Sequence, residues 1–200
     1  MDQGVIYVAF GNKARKEAGE SIASLREFHD LPVLVVGDMA IKGAQYQAFD
    51  DKGTPGRWAK VNLDVLSPWE HTLFLDADTR VHGALDIGFT LLDRGYDLVM
   101  IPSEPQHNEA LRHLSEKERK ATLNELPLDT MQLNTGVMWF SKGAASLFEA
   151  WRKEWGRWQD KDQGALLRAL YKHPVRLAIL GWPFNSLNGE VIEHRFGKCV

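Results

Sequence analysis

Short apolar runs alternate along this chain with segments that place apolar residues at helical spacing, and this alternation constrains the fold more than any other feature. Residues 4–10 predict a buried strand, residues 13–28 a helix and residues 31–36 a second strand. The order then returns, with strands predicted at residues 72–75, 97–101, 136–140 and 175–180 and helices at residues 58–66, 84–94, 144–158 and after residue 162. Such alternation predicts an α/β fold with a mostly parallel central sheet and helices on both faces.

The size and composition of the chain suit one globular domain. The 200 residues are 44% hydrophobic and 26% charged, so we predict a single domain over residues 1–200. The net charge of −3 provides no overall basic field for nucleic acid. No apolar stretch approaches the roughly 18 residues that a membrane span needs, and the lone cysteine, Cys199, suits a reducing compartment. We therefore expect a soluble, cytoplasmic protein.

Two aspartates, Asp76 and Asp78, follow the strand predicted at residues 72–75. Ligands of open α/β sheets bind beyond the carboxyl ends of the strands. Two like charges there repel each other unless a cation lies between them, and carboxylate oxygens suit Mg²⁺ or Mn²⁺, which also bind substrate phosphates. The pattern favours a metal–diphosphate site; the other interpretation is a pair that caps the following turn without a metal.

Two further segments have two interpretations each. The polar, charged residues 102–130 predict a solvated helix and loop, or an insertion that shapes the acceptor side of a site. Trp151, Trp155 and Trp158 have the spacing of one helix face, which is typical of a core-facing surface. The second interpretation is a stacking platform for a sugar or a nucleobase acceptor.

Five motifs in order make the chain resemble glycosyltransferase family 8, the glycogenin-like and bacterial galactosyltransferase-like group. They lie at residues 73–79, 133–137, 162–166, 182–185 and 194–198 (LFLDADT, LNTGV, DQGAL, WPFN and HRFGK) and span nearly the whole chain. The resemblance implies a GT-A fold, which is Rossmann-like, with a nucleotide-binding half at residues 1–101 and an acceptor- and sugar-binding half at residues 102–200. It also implies a retaining hexosyltransferase that uses Mn²⁺ or Mg²⁺ and a UDP-sugar donor.

The resemblance also implies the metal and phosphate ligands. Asp76 and Asp78 match the metal-binding pair of the family, and His194 matches its third metal ligand. Lys198 matches the lysine that holds the diphosphate. The remaining candidates for contact with the donor are Lys60, Ala77 and Gly197, with Arg57 a weaker one.

The catalytic candidates are Asp162 and Gln163, which match an Asp-Gln pair beside the anomeric carbon. Gln163 is a poor nucleophile, so we expect it to support an oxocarbenium-like state while leaving group and acceptor occupy one face, with Asp162 on the sugar hydroxyls. The other interpretation of Asp162 is a helix N-cap. The resemblance further places a donor-sugar motif at Asn134, Thr135 and Gly136.

The base-binding loop departs from the family pattern. Ala9, Phe10, Gly11 and Asn12 lie where the nucleobase would bind. Family members often place a tyrosine three positions after the asparagine, and this chain has Arg15 there. Arginine can also stack on a base, but the absence of the tyrosine weakens the prediction that this base is uracil.

Other functions share parts of the pattern. A strand that ends in Asp-x-Asp-Thr resembles haloacid-dehalogenase-type phosphatases, but Arg80 stands where those enzymes carry a threonine. A sugar nucleotidyltransferase would show a Gly-rich arginine loop after its first strand, and residues 10–13 lack one. A noncatalytic nucleotide-sugar-binding domain is the third alternative. The acceptor, whether saccharide, glycolipid, protein or modified nucleobase, and the oligomeric state are open.

Overall fold

The computed structural model describes residues 2–50, 53–54, 56–104, 111–126 and 130–198. Its strands are β1 (Gln3–Ala9), β2 (Val33–Gly37), β3 (Gln45–Ala48), β4 (His71–Leu75), β5 (Thr79–Val81), β6 (Leu98–Pro102), β7 (Leu133–Ser141), β8 (Leu177–Ile179) and β9 (Ile192–His194). Its α-helices are α1 (Gly11–Arg26), α2 (Arg57–Lys60), α3 (Leu63–Leu66), α4 (Asp86–Asp93), α5 (Glu116–Glu125), α6 (Ala145–Gly156) and α7 (Asp162–Lys172). Two 3₁₀ turns lie at Lys142–Ala144 and Trp182–Phe184.

The central sheet of the described chain has seven strands in the order β3-β2-β1-β4-β7-β6-β8. Strands β3, β2, β1 and β4 are parallel to one another, and β8 is parallel to β6. Strand β7 is antiparallel to both of its neighbours, β4 and β6. The prediction of a mostly parallel α/β sheet is confirmed, with β7 as the reversed strand.

Helices cover both faces of the sheet, as predicted. The core on one face packs α6 and α7, together with the short helices α2 and α3, against residues such as Phe74 and Met138. The core on the other face packs α1 and α4 against residues such as Val5 and Trp139. Each face therefore buries its own apolar cluster, and the edge where the strands end is left for polar side chains.

Two of the predicted helices differ in the structure from what the sequence predicted. The helix predicted at residues 58–66 is two short helices, because Asn62 lies between them and its Nδ2 donates to the carbonyl oxygen of Trp58 at 2.7 Å. Helix α5, predicted as solvated, buries Glu118 and Thr122.

Trp151 and Trp155 are buried in the core, which confirms the core interpretation of their spacing; Trp158 lies beyond the end of α6. Pro105, Pro127 and Cys199 lie outside the described residues. Among the described helices, none is long and apolar enough to cross a membrane.

A small second sheet lies beside the edge where β4 ends. Strands β5 and β9 form an antiparallel ribbon with the register Thr79↔His194, Arg80↔Glu193 and Val81↔Ile192. Val81 and Ile192 are buried in the core on the α1 and α4 face. The ribbon brings the end of the described chain back to the residues that follow β4, which sequence patterns did not predict.

Candidate active site

Asp76 is held at the carboxyl end of β4 by the strand next to it. Because β4 pairs with β7 in the register Leu75↔Val137, the residue that follows β4 lies opposite Gly136. The backbone N–H of Asp76 donates to the carbonyl oxygen of Gly136 at 2.7 Å. Asp78 follows and is buried. The two carboxylates thus stand at the sheet edge where the sequence placed them.

The ribbon places His194 over these carboxylates. Its Nε2 lies 3.3 Å from Asp78 Oδ1 and 3.8 Å from Asp76 Oδ2. The ligand atoms of the three residues all lie within 4.8 Å of one another. Asp76, Asp78 and His194 therefore form a cluster that could hold a metal ion.

A chain of hydrogen bonds sets which nitrogen of His194 faces the cluster. The N–H of Gly136 donates to Asn134 Oδ1 at 2.7 Å, and Asn185 Nδ2 donates to the same oxygen at 3.0 Å. Asn185 Oδ1 is then the atom 2.7 Å from His194 Nδ1, and an amide oxygen only accepts. Nδ1 therefore carries a proton, and Nε2 is the nitrogen that faces the carboxylates. It donates to Asp78 when the ring is protonated, and its lone pair is available to a metal ion when the ring is neutral.

The donor set fits a divalent cation. Two carboxylates and an imidazole with a hydrogen-bonded second nitrogen are the ligands and the support that Mn²⁺ and related metals use. Burial raises the pKa of the Asp76 carboxyl, and the charges of Asp78 and Asp162 add to the rise, although Lys60 and His194 oppose it. Burial would also raise the pKa of Asp78, but His194 and the N–H of Lys198 lower it to about 2. A bound cation would relieve the excess negative charge.

Gly136 leaves the space in which the cluster sits. A Cβ atom at this position would collide with His194 Cε1 and would lie 2.7 Å from Asp76 Oδ2. Only a residue without a side chain permits this approach of β7 to the cluster. Gly136 therefore lies directly against the cluster and leaves the room that the side chains of Asp76 and His194 occupy.

Lys60 connects the metal cluster to the start of α7. Its Nζ lies 3.0 Å from Asp76 Oδ1 and 3.3 Å from Asp162 Oδ2. Burial lowers the pKa of this ammonium, but the charges of Asp162 and Asp76 outweigh burial and raise it. Lys60 is therefore a charged group at the centre of the site.

Asp162 points into the site and does not cap its helix. Burial would raise the pKa of Asp162, but Lys60 and the hydroxyl of Thr135, which donates at 2.7 Å, lower it. Arg57 Nε lies 3.7 Å from its other oxygen, so this weaker candidate reaches the site as well. Lys161 takes the N-cap position of α7, which excludes the N-cap interpretation of Asp162.

Gln163 lies beside this group, on the first turn of α7. Its Nε2 donates to the hydroxyl of Ser103 at 3.1 Å, directly after β6. The carboxamide is therefore oriented by a strand on one side and by the helix on the other. Sequence patterns did not single out Ser103.

The turn after β9 is fastened to Asp78. The N–H of Lys198 donates to Asp78 Oδ2 at 3.0 Å, and the N–H of Arg195 donates to the carbonyl oxygen of Asp78 at 2.9 Å. Gly197 adopts a φ of 80°, a left-handed conformation that glycine allows. The side chain of Lys198 is exposed, and Ala77 is buried in the core. Gly197 and Lys198 were predicted to contact the donor. The hydrogen bond to Asp78 brings the backbone of residues 197–198 to the metal cluster.

The predicted base-binding loop lies at the end of β1, next to the end of β2. The N–H of Gly11 donates to Asp38 Oδ2 at 3.1 Å, and Arg15 contacts both oxygens of Asp38 at 2.6 Å. Hydrogen bonds from Arg15 lower the pKa of Asp38. Arg15 also donates to the side chain of Asn12. Ala9 is buried, and Phe10 packs against the core on the α6 and α7 face.

Besides Ser103, two residues that contact the predicted site residues were missed at the level of sequence. Asp38 follows β2 as Asp76 follows β4, so its place at a strand end could have indicated it. Asn185 lies in the motif at residues 182–185, but its hydrogen bonds to Asn134 and His194 come from the fold alone.

Comparisons with solved structures identify the fold. Mouse xyloside xylosyltransferase 1 matches with a TM-score of 0.61 over 92% of this chain and 87% of that chain, at 14% identity. The galactosyltransferase LgtC in complex with donor and acceptor sugar analogues matches with a TM-score of 0.61 over 91% of this chain and 74% of that chain, at 12% identity. GlyE of Streptococcus pneumoniae matches with a TM-score of 0.60 over 98% of this chain and 55% of that chain, at 14% identity.

No protein-family model and no curated protein sequence matches the chain. The fold is GT-A, the architecture of these glycosyltransferases, and the predicted fold class is confirmed. Likeness at these identities shows the fold, so the activity has to be argued from the site.

Proposed function

We propose that this chain is a metal-dependent, retaining glycosyltransferase that transfers a hexose from a UDP-sugar to an acceptor hydroxyl. The observation that carries the proposal is the metal-binding cluster of Asp76, Asp78 and His194, in contact through Lys60 with Asp162. This group stands at the carboxyl edge of a GT-A sheet, where such folds bind their ligands. The resemblance to family 8 supplies the donor class and the stereochemistry.

The ligand set favours Mn²⁺. Asp76 and Asp78 offer hard oxygen ligands, and His194 offers an imidazole, which suits transition metals better than Mg²⁺. When bound, the ion would supply positive charge for the diphosphate of the donor. The side chains of this protein then have to orient the sugar and stabilise the charge that develops as the glycosidic bond breaks.

Lys60 and the turn at Gly197 and Lys198 are suited to the leaving group. The nucleoside diphosphate gains negative charge as it departs, and a preorganised ammonium or N–H stabilises that charge without reorganisation. Lys60 is already charged and held between two carboxylates. Lys198 is exposed beside the cluster, so its side chain is free to close on a phosphate.

Asp162 and Gln163 are suited to the sugar. The carboxylate of Asp162 has ion-pair and hydrogen-bond partners in Lys60 and Thr135, which orient it to accept hydrogen bonds from sugar hydroxyls. Gln163 carries an uncharged amide that stabilises an oxocarbenium-like state without attacking it. LgtC has been solved as an active-site mutant in which a glutamine is replaced by glutamate, and this parallel supports an active-site role for Gln163.

The test measures release of nucleoside diphosphate from UDP-, GDP-, ADP- and TDP-sugars, with Mn²⁺, with Mg²⁺ and with a chelator. Slow hydrolysis of the donor needs no acceptor, so the unknown acceptor does not limit the assay. We expect nucleoside diphosphate to be released from a UDP-sugar, and we expect this release to require Mn²⁺. No release from any donor, together with no donor-induced thermal shift, contradicts the proposal; binding without release indicates a noncatalytic domain.

A matched pair of variants assigns the activity to the site. Asp78→Asn removes one charge from the cluster and is expected to abolish Mn²⁺-dependent release while the fold persists. Asp30→Asn makes the same chemical change at a fully exposed carboxylate that pairs with Arg26 at 3.7 Å. Asp30→Asn is expected to release nucleoside diphosphate at the wild-type rate.

A further inference from the structure

The ribbon that carries His194 is too short to be stable by its own pairing. Strands β5 and β9 have three residues each, and isolated two-stranded ribbons are marginal in water even when longer. His194 nevertheless has to keep its ring in place over Asp78, because the ligand distances of a metal site are fixed to within about 0.2 Å. Contacts from outside the ribbon must therefore fix it.

Helix α1 supplies contacts to β5. The hydroxyl of Ser21 lies 2.9 Å from Thr79 Oγ1, and Ser24 Oγ accepts from the N–H of Val81 at 2.9 Å. These bonds hold β5 to the helix, but neither of them reaches β9. His194 is also held by Asn185, and residues 195 and 198 bond to Asp78, but none of these contacts joins β9 to α1.

Two glutamates of α1 reach both strands through two arginines. Arg80 lies in β5, and its NH2 contacts Glu17 Oε2 at 2.7 Å and also Glu20. Arg195 directly follows β9, and its NH1 lies 3.8 Å from Glu17 and 3.9 Å from Glu20. We call these four residues the arginine clamp.

The inner half of the clamp is buried, which gives its ion pair more weight than a surface contact. The side chains of Arg80 and Glu17 are 11% and 15% exposed, whereas those of Arg195 and Glu20 are 36% and 45% exposed. Exposed ion pairs contribute little, but loss of one partner of a buried pair leaves an uncompensated charge. Arg80 also donates to the carbonyl oxygen of Thr79 at 2.7 Å, so its guanidinium is hydrogen-bonded to the backbone directly after Asp78.

We infer that the arginine clamp positions the metal ligands, with Arg80 as its main positioning residue. Each arginine stands within two residues of a ligand, and both are held by the same two carboxylates of α1. The clamp carries two positive and two negative charges, so it acts through geometry and adds no net charge near the cluster. This inference rests on the metal site of the proposed function, and nothing in the family resemblance assigns a role to Arg80.

The experiment measures binding of Mn²⁺ alone, from the electron paramagnetic resonance signal of the free ion, well below the melting temperature. We expect Arg80→Gln to weaken Mn²⁺ binding by about 10- to 100-fold, the usual cost of losing a residue that orients metal ligands. Arg80→Lys keeps the charge but can make only part of the contacts, so the Mn²⁺ affinity of this variant is expected to lie between those of the wild type and Arg80→Gln. The matched control is Arg176→Gln, which breaks the pair with Asp97 at the start of β6, at the opposite end of the sheet.

The outcomes separate the inference from the proposed function. Wild-type Mn²⁺ affinity in a folded Arg80→Gln protein, with only a lower melting temperature, overturns the clamp and leaves the metal site standing. No Mn²⁺ binding by the wild-type protein overturns the metal site itself, and the clamp with it. If Arg80→Gln fails to fold, Arg195→Gln is measured instead, because this more exposed residue holds β9 through the same glutamates; unchanged affinity there also overturns the inference.

Discussion

At the scale of single residues, the site depends on a glycine that has no side chain as much as on the side chains that form the cluster. Asp76 and His194 approach β7 so closely that Gly136 has to stand between them without a side chain. The same glycine fixes Asn134 through its N–H, and so begins the hydrogen-bond chain that ends on His194. One backbone position thus sets both the space for the ring and the nitrogen that it presents.

The first prediction concerns this position. Gly136→Ala is expected to weaken Mn²⁺ binding at least about 10-fold, because the new methyl group displaces His194 or Asp76 and so disturbs the orientation of the ligands. Titration of Mn²⁺ into the folded variant measures the effect. Gly19→Ala, in the interior of α1 with its nearest neighbour at 3.8 Å, is the control and should bind normally. Equal affinity in both variants would show that β7 can move away from the cluster.

The second prediction concerns Gln163, whose contribution is expected to be greatest in the transition state. Gln163→Ala should lower kcat for donor hydrolysis about 100-fold, the scale of losing one preorganised electrostatic contact, with a smaller change in the KM of the donor. Ser103→Ala removes only the hydroxyl that holds the amide, so a smaller fall in kcat is expected. If KM rises while kcat stays, Gln163 binds the donor and does not support the reaction.

At the scale of secondary-structure elements, the ends of three helices meet at one carboxylate. Glu125 ends α5, and it accepts from Arg157, just beyond α6, at 2.9 Å and from Lys172, the last residue of α7, at 2.7 Å. These hydrogen bonds lower the pKa of Glu125 from 4.5 to about 2. The cluster therefore fastens α5 to the helices behind the site.

The third prediction follows from the sign of this shift. Because the pKa of Glu125 is lower in the folded state, its ionised form stabilises the fold above pH 4.5, and the contribution is lost as the pH falls toward 2. Glu125→Gln should lower the free energy of unfolding by roughly 1 kcal/mol at pH 7. The difference in stability from wild type should shrink as the pH falls from 4.5 to about 2. Urea unfolding at several pH values measures it. Glu149→Gln, an exposed pair with Lys153, should show little difference at any pH.

The elements also show what sequence patterns can predict. The apolar runs of β1, β2, β4 and β6 bury their side chains from both faces, and such strands are predicted by composition alone. Strands β5 and β9 have three residues each and are defined by their partner. The reversed direction of β7 leaves no mark in its apolar run.

The candidate site also contains residues that the sequence could predict and residues that it could not. Asp76 and Asp78 were predictable because they follow an apolar strand, and their chemistry needs no partner to be recognised. His194 came from resemblance, since one histidine in a strand of three residues has no pattern of its own. The roles of Asn185 and Ser103 depend on contacts between residues 51 and 60 positions apart, which local periodicity does not contain.

At the scale of the whole molecule, the site joins residues from both halves of the chain. Lys60, Asp76 and Asp78 come from residues 1–101, and Asp162 and His194 come from residues 102–200. Strand β7 of the second half lies between β4 of the first half and β6, which crosses the boundary between the halves, in one sheet. Neither half can form the sheet or the site alone, so we expect the two halves to unfold together.

The last prediction tests this unity. The Mn²⁺–UDP complex, bound as a single ligand at about 100 times its Kd, should stabilise the folded protein by about 2.7 kcal/mol and raise the Tm of a chain of this size by roughly 5–10 °C, in one transition. Calorimetry measures both the shift and the number of transitions. Asp78→Asn should show no shift, because its cluster has lost a ligand. Two transitions, of which only one responds to Mn²⁺ and UDP, would mean that the halves are separate folding units and that the ligand is held by one of them.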